Sequence, residues 1–218
     1  MASWSSKKAL IIYGGWDGHE PDKVAEIFKL ALGAEGFEVV TSDSLDVLND
    51  GKVLKQLDLI FPCWTMGKLS DEQNENLLDA VQSGVGLGGV HGGMGDAFRG
   101  HTNYEWMVGG HFVGHPSVGE YEVTKTDVAH PITDGFPDSL VYDSEQYYML
   151  IDPAVEVLVR SQYHYAGKTC SMPIVWTKEW GKGRVFYSAL GHVSSEFIDY
   201  PAVKEMTVRG LKWAANAL

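Results

Sequence analysis

Residues 85–93 read Val85-Gly86-Leu87-Gly88-Gly89-Val90-His91-Gly92-Gly93. The first six make a short apolar run, a length that suits a strand buried on both faces. The run ends on a histidine set between glycines. Glycine tolerates backbone angles closed to other residues, so this spelling permits a sharp turn that pushes His91 out beyond the strand. A purely structural turn has no need of an imidazole there.

Upstream, the same strand-then-turn spelling recurs. Ala9 to Tyr13 is a five-residue apolar run closed by Gly14 and Gly15. Pro21 then suits a first helical position, and Val24, Ile27, Phe28 and Ala31 recur at helical spacing. Phe37 to Thr41 reads as a second strand, residues 50–57 as a short helix, and Leu57 to Trp64 as a third strand. Ser70 with Gln73 spells a capping box ahead of Leu77, Leu78 and Val81, and Gly84 closes that helix. Strands alternating with helices predict a parallel-rich open sheet with helices on both faces, a flavodoxin-like α/β sandwich.

Downstream the pattern changes. Glu120 to Thr124, Val155 to Ser161, Pro173 to Lys178 and Arg184 to Ala189 read as strands with little helix between them. Glu179-Trp180-Gly181-Lys182-Gly183 fits a hairpin turn. A final helix starts near Pro201. With no repeat or linker, residues 1–218 are expected to form one domain.

The bulk composition narrows the function. Seventeen Lys and Arg against 29 Asp and Glu give a net charge of −12. That balance disfavours nucleic acid and anionic membranes as partners, while a neutral small molecule stays compatible, as does assembly with copies of itself. The two cysteines, Cys63 and Cys170, form neither a disulfide framework nor a zinc spacing. The apolar run after the N-terminus is too short for a signal-peptide core, and no stretch approaches a membrane span, so the expected location is the cytoplasm. The glycine run before His91 lacks the spacing and the ribose-binding acid of a dinucleotide site, so no nucleotide is expected.

In open parallel sheets ligands bind beyond the carboxyl ends of the strands. His19 follows the first strand, His91 the fourth and His192 the last. Three histidines are therefore expected at one edge. Each has a plainer reading: His19 as a helix-entry residue, His192 as a satisfied core histidine. His111 and His115 are spaced for one helical face, as metal ligands would need, yet Gly114 and Pro116 oppose a helix. His101, His130 and His164 have no supporting context. Glu145, among Tyr142, Tyr147 and Tyr148, is a candidate acid or base, or equally an exposed loop acid. Glu196 is placed to orient the His192 imidazole. Trp64, Trp106, Tyr147 and Tyr148 suit a sugar face or a core. The candidate catalytic set is thus His91, Glu145 and His192, and the candidate sugar contacts are Trp64, Trp106 and Tyr147. The candidate ligands for Zn²⁺ or another divalent metal are His19, His91, His111, His115 and His192, with Glu145 beside them.

The ordered set of Gly14-Gly15 through His19-Glu20, Gly89 to Gly93, Trp106 through Phe112, His115-Pro116, His130 to Ile132, Ser144 to Tyr147 and Gly183 through His192 resembles the ThuA-like family, named for trehalose utilisation. The likeness runs nearly the length of the chain. It implies a fold related to the class I glutamine amidotransferases, whose nucleophilic cysteine position holds His91 here. With no thiol at that turn the acyl-enzyme route is closed, so glutaminase activity is not expected. In those enzymes a late histidine and glutamate pair resembles His192 and Glu196. Where relatives place an acid just before the glutamate, this chain has Ser144. The resemblance implies carbohydrate catabolism: an isomerase, lyase or hydrolase acting on a sugar, keto-sugar or glycoside. The competing expectation is a non-catalytic sugar-binding or regulatory module on the same fold.

Overall fold

The computed structural model describes residues 6–218, so the reading of the first five residues lies outside it. Nine strands form a continuous sheet in the order β2-β1-β3-β4-β9-β8-β7-β5-β6. The parallel part holds β1 (Lys8–Gly15), β2 (Glu38–Ser42), β3 (Leu59–Thr65), β4 (Gly86–Val90) and β9 (Gly183–Ser188). Helices α1 (Pro21–Ala34) and α7 (Pro201–Ala214) cover one face; α3 (Asp71–Ser83) and α5 (Thr102–Val108) pack together on the other. This is the expected α/β fold. α2 (Gly51–Leu54) is the short helix before β3.

The apolar runs bury as their spelling demands. Ala9 to Ile12 of β1 and Leu59 to Phe61 of β3 are sealed between the helical layers, with Phe28 of α1 packed edge-on to Phe61. The Ser70 hydroxyl accepts from the Gln73 amide while the Gln73 side chain accepts from Ser70, so both halves of the capping box form. The glycines of β4 have a packing reason. A Cβ on Gly86 would lie 2.3 Å from the Ala214 carbonyl, and one on Gly88 2.8 Å from Leu211, so any larger residue would push α7 off the sheet.

The second half departs from the sequence reading: α5 and one strand were not expected, and the strands that were expected run longer. β5 (Gly110–Lys125), β6 (Ser139–Ile151), β7 (Glu156–Tyr165) and β8 (Lys168–Trp180) form an antiparallel extension. β6 was not expected. Its hydropathy does not alternate because polar Ser144 and Gln146 point inward while Val141 and Leu150 are exposed, and Glu145 sits in mid-strand, not in a loop. His111 and His115 are strand residues of β5, whose register slips between Phe112 and Ser117. The β8–β9 hairpin turns at Gly181 and Lys182, as the spelling predicts. No helix among the described residues is long and apolar enough to cross a membrane.

Candidate functional site

Four chain segments meet beyond the carboxyl ends of the parallel strands. His91 is the first residue of α4 (His91–Gly95), with a left-handed φ of +45°. That strained elbow is where β4 turns, and positions of this kind cluster at functional sites. The His91 Nδ1 lies 2.8 Å from the Ala189 carbonyl, and Tyr187 donates from its hydroxyl to the His91 carbonyl. A carbonyl accepts only, so the Nδ1 carries a proton and donates to it, leaving Nε2 facing the cleft.

His19 closes the 3-10 turn after β1, with Nδ1 2.6 Å from the Thr65 hydroxyl at the end of β3. His192 follows β9, and its Nδ1 lies 3.3 Å from the His91 Nε2. Glu145 reaches in from β6. Its Oε2 is 3.3 Å from the His91 Nε2 and 3.5 Å from the His192 Nδ1, while Oε1 is 3.5 Å from the His115 Nε2. One ligand atom from each of His19, His91, Glu145 and His192 lies within 4.8 Å of the other three.

Burial and the neighbouring imidazoles hold His19 down at about 3. Burial, then His91, also lowers His192. Burial pushes Glu145 up, but the His91 hydrogen bond and the attraction of His192, His91 and His115 outweigh it and bring Glu145 to about 2. At neutral pH the cluster therefore offers neutral lone pairs on His19 and His192 beside an ionised carboxylate. This donor set fits a divalent cation: three imidazoles and a carboxylate at convergent positions, with a carbonyl fixing one ring from behind.

The other candidates divide. The Tyr147 ring lies over His91 with centroids 3.9 Å apart, and Phe112 backs it at 4.4 Å, so its face is not open to a sugar. Trp64 packs over Gly14, where a Cβ would come within 2.7 Å of the indole. Trp106 is 57% exposed and packs edge-on to Trp180, which ends β8 opposite Gly183, the first residue of β9, and so lies at the other end of that strand from His192. His111 pairs with Glu105 at 3.5 Å and is outside the cluster. The helix that Gly114 and Pro116 opposed does not form: His111 and His115 lie on the bulged strand β5, one against Glu105 and the other against Glu145. Glu196 does not hold the His192 ring. It accepts from the His192 backbone N–H, the Ser144 hydroxyl and the Tyr142 hydroxyl.

Some partners escaped the sequence reading. Trp16 is half-exposed and edge-on to His19 at 4.7 Å, giving an aromatic rim to the cluster. Glu20 accepts from the backbone N–H and hydroxyl of Ser194, clasping the loop of His19 to that of His192. Glu20 directly follows a site candidate, a signal that was available; Ser194 carries none. Cys63 is sealed beneath the cluster, and burial pushes its thiol up to about 12. A cavity of about 720 Å³ lies elsewhere, in the wedge of Tyr121, Tyr148, Tyr163 and Tyr165. It contains none of the four clustered residues; chemistry, not volume, picks the site.

The family profile described as trehalose utilisation, ThuA, matches residues 8–214. Comparison with curated proteins finds no match. Among solved structures, a ThuA-like protein from Bacteroides uniformis superimposes with a TM-score of 0.80 at 21% identity, covering 98% of this chain and 93% of that one. One from Parabacteroides merdae gives 0.77 at 20% identity, covering 97% and 90%. A β-galactosidase from Bacillus circulans gives 0.61 at 13% identity, covering 96% of this chain but 30% of that one. At these identities the likeness is one of fold.

Proposed function

We propose, from the premise that this chain belongs to the ThuA family of trehalose utilisation, that it is a metal-assisted enzyme of carbohydrate catabolism. Its substrate would be a keto-sugar or oxidised glycoside, and its chemistry a proton removal next to the carbonyl. The family supports the sugar. One observation carries the chemistry: His19, His91, His192 and Glu145 offer ligand atoms within 4.8 Å of one another.

In this reading His19, His91 and His192 hold the cation and Glu145 moves the proton. The ion, when bound, supplies Lewis acidity toward a carbonyl oxygen. Glu145 is ionised and thus able to accept a proton from the carbon beside that carbonyl. The C–H electron pair becomes the new C=C bond, and the carbonyl π pair moves to oxygen. His115, against the other carboxylate oxygen and open to solvent, is placed to pass the proton on. Return of the proton gives isomerisation; loss of a neighbouring group gives elimination. Trp16 is the aromatic best placed to meet a sugar face. Neither cysteine takes part, and the expected cytoplasmic location stays within this proposal.

The test uses untagged protein with a 3-keto-glucoside in D₂O, reading exchange of the α-proton by NMR alongside elemental analysis. Stoichiometric divalent metal is expected, with exchange lost on chelation and in Glu145→Gln. Substoichiometric metal with full exchange after chelation would favour metal-free acid–base work by His91 and Glu145. Tight sugar binding without any exchange would favour the binding module.

A further inference from the structure

Tyr147 is buried, yet its hydroxyl has no protein partner among the described residues. Its neighbours differ. Tyr104 donates to the Met94 carbonyl, Tyr121 to that of Glu145, Tyr163 to that of Gln146 and Tyr187 to that of His91, while Tyr142 donates to Glu196. Those hydroxyls are spent within the protein, and that of Tyr147 is left over. This hydroxyl is also not fully walled in: the enclosed orphans among the described residues are the Asn74 Oδ1 and the Trp180 Nε1.

Its position supplies the reason. With the Tyr147 ring lying over His91, the hydroxyl is carried toward the Gly92 backbone. A Cβ on Gly92 would sit 3.1 Å from that hydroxyl and 2.4 Å from the His19 Cε1, so the phenol and the His19 imidazole converge on one spot. The missing side chain at Gly92 is what lets both groups come so close to the backbone. Ring packing by His91 and Phe112 fixes the direction of the phenol C–O bond and leaves the hydroxyl unused.

We infer that the Tyr147 hydroxyl is a catalytic hydrogen-bond donor, aimed at the substrate carbonyl oxygen as that oxygen gains negative charge. This deepens the function proposed above and rests on it. The substrate class follows: a sugar with a carbonyl flanked by an oxygen-bearing carbon, which becomes a planar enediolate when the α-proton leaves. A preorganised neutral donor suits such an oxyanion.

The experiment compares wild type with Tyr147→Phe, which keeps the ring over His91. Both are titrated with Co²⁺, then with acetohydroxamate as a planar mimic of the enediolate oxygens, and both are assayed for α-proton exchange on the 3-keto-glucoside. Expected are an unchanged melting temperature and Co²⁺ affinity, hydroxamate binding weakened about tenfold, and exchange slowed about 10²-fold. Unchanged hydroxamate affinity and exchange would overturn the donor role and leave the metal reading intact. A large fall in Co²⁺ affinity would overturn it in favour of a ligand or structural role. A wild type that binds no Co²⁺ and exchanges no proton would overturn both readings together.

Discussion

The Nε2 of His91 lies 3.3 Å from the Nδ1 of His192, although the two residues stand 101 positions apart in the chain. The Glu145 Oε2 lies 3.3 Å from the first nitrogen and 3.5 Å from the second, a convergence of donor atoms that a shared cation satisfies. One divalent ion per chain is therefore expected. His192→Ala and His19→Ala should each weaken it by at least about tenfold, since even residues behind a ligand cost that much. His111→Ala, paired with Glu105 outside the cluster, should leave it unchanged. Calorimetric titration of the chelated protein with Zn²⁺ decides this; equal loss from His111→Ala would refute the assignment.

Gly92→Ala tests how tightly the cluster is built. The new methyl would stand 2.4 Å from the His19 Cε1, so the ring must shift. Overpacking of this kind costs about 1–3 kcal/mol. The expected result is a folded protein with weakened metal binding, read by circular dichroism and the same titration. Full affinity would mean that His19 is free to move and is not a fixed ligand.

Glu196 has the opposite weight: stability more than chemistry. It is buried and accepts from Tyr142, Ser144 and the His192 amide, joining β6 to the loop after β9. Glu196→Ala leaves those donors unpaired, at a cost of about 1–3 kcal/mol for each buried group left unsatisfied. For a chain of this size each kcal/mol lowers the melting temperature by about 2–4 °C. A scan showing no drop would remove Glu196 from the framework of the site.

Cys63 gives the pH prediction. Its ordinary value is 9.0, and burial raises it to about 12 in the folded chain. Between those values the unfolded chain releases the thiol proton and the native one keeps it. The stabilisation is complete below pH 9 and is lost as pH rises toward 12. Cys63→Ala should flatten the alkaline fall in melting temperature. At pH 8 a thiol reagent should label Cys170, which is exposed, and spare Cys63 until the protein is denatured. Two fast-reacting thiols in native protein would contradict this burial.

Much of the site was readable because its backbone code is local. His19, His91 and His192 each follow a strand whose end is marked by glycine or by a fall in apolar residues, and a parallel sheet sends all such ends to one edge. The elbow at His91 was written in its flanking glycines. Glu145 was legible as a candidate but not as a strand residue, because β6 buries Ser144 and Gln146 and exposes Val141 and Leu150, which hides its two-residue alternation. Trp106 misled, since an indole in a Gly-rich segment looks the same whether it lines a site or packs on Trp180.

The sequence by itself determined the α/β order, the capped helix after Ser70, the β8–β9 hairpin and the edge at which the histidines gather. Each depends on neighbours within a few residues: period, caps and turn spelling. Only the tertiary structure decided that Glu145 joins those histidines while His111 does not, that Glu196 holds a backbone and not a ring, and that the Tyr147 face is spent on His91 while its hydroxyl is left over. Those outcomes turn on β5 register slips and on contacts between β6 and the far ends of β4 and β9. Long-range packing sets them, and no local pattern records it.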